Sequence, residues 1–172
     1  MVAGPGFRPC DSMPPARHDI DALYRAHGGL VRARIRRFFP EAEADDVLQE
    51  VFVRVIEKIE SFRGESSTST WLYQLTTRHC LNRLRDRSRR HALWTESGEM
   101  WSAPVTPPSQ EARTLLGEIW RDLDEEMALI AIYYHLDQLT RDDVATLVGL
   151  SSRTVGYRLE ALRKLAEARG QA

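Results

Sequence analysis

Apolar residues recur along this chain at every third or fourth position, the period of a helix with one buried face. In residues 19–39, Ile20, Leu23, Tyr24, Val31, Ile35 and Phe38 share a side, and Pro40 ends the run because proline cannot continue a helix hydrogen-bond ladder. A second helix is predicted from about Ala44 to Ile59, with Leu48, Val51, Phe52, Val55 and Ile59 inward. Phe62-Arg63-Gly64 breaks the pattern, and a third helix runs from Ser69 to Arg90 with Ser69 or Thr70 as its N-cap. Pro108-Ser109 then starts a helix carrying Ala112, Leu115, Leu116, Ile119 and Leu123. Asp124 can cap the next segment, EEMALIAIYYH, which is apolar almost all round and is expected to be buried. LTRDDVATLVGLSSRTVGYRLEALRKL reads as two further helices about a tight turn. No stretch alternates with period two for long enough to build a sheet. The expected fold is therefore all-α, with two small helical domains joined by a flexible linker: a Pro- and Gly-rich tail at 1–18, a first domain at 19–90, a linker at 91–108 and a second domain at 109–172.

The third helix carries a distinctive outward row. At 100° per residue, Trp71, Gln74, Arg78, Asn82, Arg85 and Arg89 fall in one stripe, with Tyr73, Cys80 and Leu84 opposite. Guanidinium groups pair with phosphates, an indole offers a stacking surface, and an amide can read a base edge, so the set suits a nucleic-acid strand. A buried tryptophan beside a solvated charged face accounts for the same spacing. The loop before it, FRGESST, with Gly64 and the hydroxyl residues Ser66, Ser67 and Thr68, can form a shallow polar wall for an unstacked base, or an ordinary surface loop.

The last two helices have the features of a helix-turn-helix. Thr140 and Asp143 have capping-box spacing with Asp in the Glu position. Val144, Leu147 and Val148 supply a packing face, Gly149 the turn, and Ser151 a cap. Val155, Leu159, Leu162 and Ala166 form the buried stripe expected of the second helix. Its start presents Ser152, Arg153, Thr154, Gly156, Tyr157 and Arg158, the end that a recognition helix inserts into a major groove. Arg153 is suited to bidentate pairing with guanine.

Composition adjusts this picture little. Hydrophobic residues make up 42% of the 172 positions, enough for packed cores. The net charge of −1 conceals a local asymmetry: from Arg78 to Arg90 six arginines accompany a single acid, Asp86. Cys10 and Cys80 lie far apart without CxxC spacing, so neither a zinc site nor a disulfide framework is expected. No run is apolar enough to span a bilayer and the N-terminus has no apolar signal core, so a cytoplasmic location without membrane insertion is expected. The second helix has its own polar row of Asp46, Gln49, Glu50 and Glu57, which repels DNA and suits either a protein partner or plain solvation. No catalytic constellation accompanies these carboxylates, so no enzyme activity, cofactor, metal or small-molecule substrate is expected.

With these residues in view, the chain resembles the extracytoplasmic-function sigma factors, small bacterial RNA polymerase specificity subunits of the sigma-70 family. EADDVLQEVFVRVIEKIESFRGESSTSTWLYQLTTRHCLNRLR resembles that family's region 2, and LDQLTRDDVATLVGLSSRTVGYRLEALRKL its region 4. The resemblance implies that Asp46, Gln49 and Glu50 grip the β′ clamp helices of core RNA polymerase. It further implies that the Phe62–Ser69 loop, with Arg63, Ser66, Ser67 and Thr68, holds a flipped base of the −10 element, and that Trp71, Arg78, Asn82 and Arg85 line the −10 helix. The residues from Ser152 to Arg158 then read the −35 element, the β flap is a further polymerase contact, and an anti-sigma protein is an expected partner. The rival readings are a stand-alone helix-turn-helix regulator on duplex operators, a DNA-acting enzyme such as a recombinase, and a pure interaction protein.

Overall fold

The computed structural model describes residues 20–92 and 123–170, which fall in two compact units, and all regular structure among them is helical. The expected tail, most of the linker and the helix predicted from Ser109 lie outside the described residues, as does the side chain of Arg89.

The first unit packs three helices against one another: α1 (Ile20–Ile35), α2 (Glu41–Lys58) and α3 (Thr68–Ala92). α1 stops at Ile35, earlier than expected, because the chain tightens into a turn in which Arg37 and Phe38 donate to carbonyls three residues back. That turn points Phe38 and Phe39 into the core. α2 starts directly after Pro40, three residues earlier than the apolar pattern indicated; its first turn is acidic and polar, so burial could not mark it. The core is built from Leu23, Val31, Ile35, Val47, Val51, Val55, Leu72 and Leu81, all at most 5% exposed. Tyr24, assigned to the same face, is half-exposed and lies edge-on against Phe52 at 4.9 Å.

One charge sits inside this core. Arg34 is buried, its guanidinium lying 4.9 Å from the Phe38 ring centroid and 4.4 Å from that of Tyr73. Its Nε donates to Thr77 Oγ1 at 3.0 Å, and that hydroxyl donates in turn to the Tyr73 carbonyl at 2.7 Å. The ring faces and the hydroxyl compensate part of the lost hydration of a buried cation. Cys80 is buried as a free thiol, pushed up to about 12 by desolvation, which keeps it protonated and inert.

The second unit contains α4 (Glu125–Ala131), a wider turn of helix at Ile132–Leu136, α5 (Arg141–Val148) and α6 (Ser152–Gly170). The Asp124 side chain accepts from the Met127 N–H at 2.7 Å, and Ala128, Leu129, Ile130, Ile132 and Tyr133 are buried. Thr140 and Asp143 form the reciprocal capping box. Gly149 takes φ +73°, and its N–H closes α5 onto the Ala145 carbonyl. Ser151 Oγ then accepts from the Thr154 N–H at 3.1 Å, starting α6. Val155 and Leu162 are buried against α4 and α5, but Ala166 is exposed because α6 outruns its partners.

Candidate nucleic-acid interface

The loop Phe62–Ser67 and the start of α3 form one continuous surface. Gly64 takes φ +71°, a turn that a side chain would strain. The cap of α3 is Ser67, not Ser69 or Thr70: its Oγ accepts from the Thr70 N–H at 3.1 Å and its carbonyl from Trp71 N–H at 3.0 Å. A run of five hydroxyl residues offers several equivalent caps, and burial of Thr68 and Thr70 selects the one before them. Thr68, at 3% exposure, therefore faces the core in this conformation, while Ser66 and Ser67 are partly exposed and Arg63 is exposed. Trp71 is partly buried and stacks obliquely on Phe62, with centroids 5.0 Å apart.

Beyond Trp71, the predicted stripe does lie on the outer side of α3. Arg78 and Asn82 are exposed and Gln74 and Arg85 partly so, while Leu72, Tyr73, Thr76, Thr77, Cys80, Leu81 and Leu84 are buried beneath. Arg83 and Arg87 of the basic run have a different task. Arg83 donates to Glu50 Oε1, and Arg87 lies 3.2 Å from Glu43 Oε1, both carboxylates belonging to α2. His79 Nε2 sits 3.0 Å from Glu50 Oε2. The described arginines of the run thus divide into an outward set and a set that clamps α2. Residues 79, 83 and 87 repeat every four, a spacing visible in the sequence, but their acidic partners are identifiable only once α2 and α3 are in register.

That clamp alters the reading of α2. Asp46 and Gln49 are exposed, whereas Glu50 turns toward α3. Although partial burial works against its charged form, hydrogen bonds from Arg83 and His79 hold the Glu50 carboxyl below its usual range. Asp45, next to Asp46, pairs back to Arg32 of α1 at 3.0 Å. The free outward row is therefore Asp46 and Gln49, extended by the exposed apolar side chains of Val53 and Ile56.

In the second unit the candidate readers occupy three flanks of α6. Arg153 and Tyr157 point outward; Tyr157 is 63% exposed, and its hydroxyl accepts from Arg153 Nε at 3.1 Å and Nη2 at 3.0 Å. Thr154 and Arg158 lie on the side of α4, where Arg158 Nη2 is 3.0 Å from Glu126 Oε1. The two charges form an ion pair without a hydrogen bond to Glu126 Oε1. Ser152 and Gly156 lie on the opposite flank, both partly exposed.

Comparison with known proteins gives the surfaces a context. Residues 23–90 match sigma-70 region 2. The chain is 26% identical over 147 residues to the ECF RNA polymerase sigma-E factor of Escherichia coli K12, covering 78% of this chain and 77% of that one. It is 27% identical over 161 residues to the sigma-E factor of Haemophilus influenzae, covering 86% and 85%. Its fold is similar to that of RpoE from Bartonella quintana, solved in complex with the anti-sigma factor NepR, with a TM-score of 0.52 over 90% of this chain and 98% of that one, at 17% identity. The chain therefore carries a sigma-70 region 2 and is homologous to the extracytoplasmic-function sigma factors.

Proposed function

We propose that this chain, a sigma factor of the extracytoplasmic-function type, binds core RNA polymerase and directs it to promoters through a −10 reader in its first unit and a −35 reader in its second. The observation that carries the reading is the pairing, in one chain, of a region 2 match over residues 23–90 with a capped helix-turn-helix at Thr140–Gly170. Residues 19–90 serve as the −10 and polymerase-binding domain, 109–172 as the −35 domain, and 91–108 as the linker.

Binding, rather than chemistry, is the mechanism. Asp46 and Gln49, with Glu50 beside them, dock on the β′ clamp helices, and the second unit meets the β flap. Arg63, Ser66, Ser67 and Thr68 then receive a base of the opened −10 element, beside Trp71, Arg78, Asn82 and Arg85. Flipping a base out costs a few kcal/mol, offset by stacking and hydrogen bonds to the extruded base. Since Thr68 faces inward, its contribution is to hold the wall in place beneath Ser66 and Ser67. Ser152, Arg153, Thr154, Gly156, Tyr157 and Arg158, at the start of α6, approach duplex −35 DNA. Two weak contacts joined by a linker gain affinity through effective concentration once polymerase fixes their spacing. The protein acts in the cytoplasm as a non-enzymatic subunit, and no helix among the described residues is long and apolar enough to cross a membrane. An anti-sigma protein is proposed as a further partner; the fold relative RpoE was solved with one.

Pull-down of core polymerase tests the docking face. Asp46→Arg with Gln49→Ala should abolish capture while leaving the helical circular dichroism unchanged, because both side chains are exposed. Capture equal to wild type contradicts the docking assignment.

A further inference from the structure

Among the residues proposed to read the −35 element, one has no side chain. Gly156 lies beside Arg153 on the exposed part of α6, and glycine there costs about 1 kcal/mol of helix stability relative to alanine. The space over Gly156 is occupied from elsewhere. A Cβ at this position would stand 3.5 Å from Nη1 of Arg141, the first residue of α5. That distance is ordinary van der Waals contact, so the Arg141 guanidinium rests against the position that a side chain at 156 would start from. The first helix of the motif thus lays a cation across the bare backbone of the second.

A second observation concerns the state of that cation. Arg153 is engaged by Tyr157, Arg158 by Glu126, and Arg163 by Glu160 and Glu167. Arg141 is exposed, and its donors meet no acceptor among the described residues; the nearby Asp143 carboxylate is committed to the Thr140 cap. In helix-turn-helix docking the recognition helix enters the groove and the first helix crosses the sugar-phosphate backbone. A planar guanidinium there matches a phosphate bidentately.

We propose that Arg141, seated over Gly156, is a DNA-phosphate clamp that sets the register of α6 on the −35 duplex. This rests on the −35 reading above and adds a residue to it. Arg141 carries no sequence preference of its own; it fixes the position from which Arg153 and its neighbours read bases.

The test uses full-length protein assembled with core polymerase, on one promoter fragment and a panel of −35 base substitutions, titrated across KCl concentrations. Arg141→Met should weaken binding by the same factor on every −35 variant and reduce the slope of log affinity against log salt by about 1, the signature of one lost phosphate contact. Arg141→Lys should restore the slope. An unchanged slope for Arg141→Met overturns the proposal, as does a loss confined to a single base pair, which would make Arg141 a base reader. If the wild-type complex itself ignores the −35 substitutions, the −35 reading fails. If it discriminates and Arg141→Met matches it at every salt concentration, the clamp alone fails.

Discussion

Replacing Glu50 with glutamine tests whether this side chain is a docking residue, a brace between α2 and α3, or both. The carboxylate takes a hydrogen bond from Arg83 on one oxygen and contacts His79 Nε2 at 3.0 Å through the other. Fully buried charge-assisted bonds contribute about 1.5–3 kcal/mol each. Here the side chains are 43% exposed for Glu50, 30% for Arg83 and 16% for His79, so water competes for both partners. Exposed ion pairs contribute about 0.2–1 kcal/mol, and the combined value should fall between these limits, at about 1–2 kcal/mol. Glutamine keeps the volume but removes the charge and one acceptor. Urea denaturation of the full chain, followed by circular dichroism, should show Glu50→Gln destabilised by that amount. A double-mutant cycle with Arg83→Met should return a coupling energy of at least about 0.5 kcal/mol, as expected of residues in contact. The pH dependence has a definite sign. Because the folded Glu50 carboxyl lies below its ordinary value, its contribution is present above the usual carboxylate range near pH 4.3 and is lost as pH falls through the lowered folded value. Strictly additive single mutants, or a Glu50→Gln variant as stable as wild type at neutral pH, would refute the brace.

Other residues offer independent checks. Thr77→Val removes the acceptor for Arg34 Nε inside the core and should cost about 1–3 kcal/mol in the same denaturation assay, with Thr77→Ser recovering most of it. Cys80 should resist alkylation in the folded chain at pH 8, with peptide mapping to separate it from Cys10, and should react on unfolding. Its raised value also implies stability that is full below the unfolded thiol range near pH 8.5 and declines as pH rises toward 12. Arg153→Ala should relax −35 discrimination by about 1–3 kcal/mol in a promoter-substitution scan if it pairs bidentately with guanine, and an unaltered preference removes that role.

The helices and their buried faces were readable because each apolar stripe runs for several turns and its caps are chemically distinctive. Thr140, Gly149 and Ser151 behave as their residue types require. Helix starts were less legible where several residues of the same capping type follow one another, as at Ser66–Thr70, or where the first turn is polar, as at Glu41. The outward stripe of α3 was legible from spacing alone. Its division into outward-facing and α2-facing arginines was not, since the acids that engage Arg83 and Arg87 lie more than thirty residues away in the chain. The same holds for Arg141 and Gly156: neither stands out until the turn at Gly149 folds one helix over the other.

The central claim is that this protein makes polymerase selective without chemistry of its own. Its most direct measurement is transcription in vitro from genomic fragments by purified core polymerase, with and without the full-length chain, mapping each 5′ end. The account predicts new start sites in its presence, each weakened by substitutions in the −10 and −35 regions upstream. No association with core enzyme and an unchanged set of start sites would contradict it.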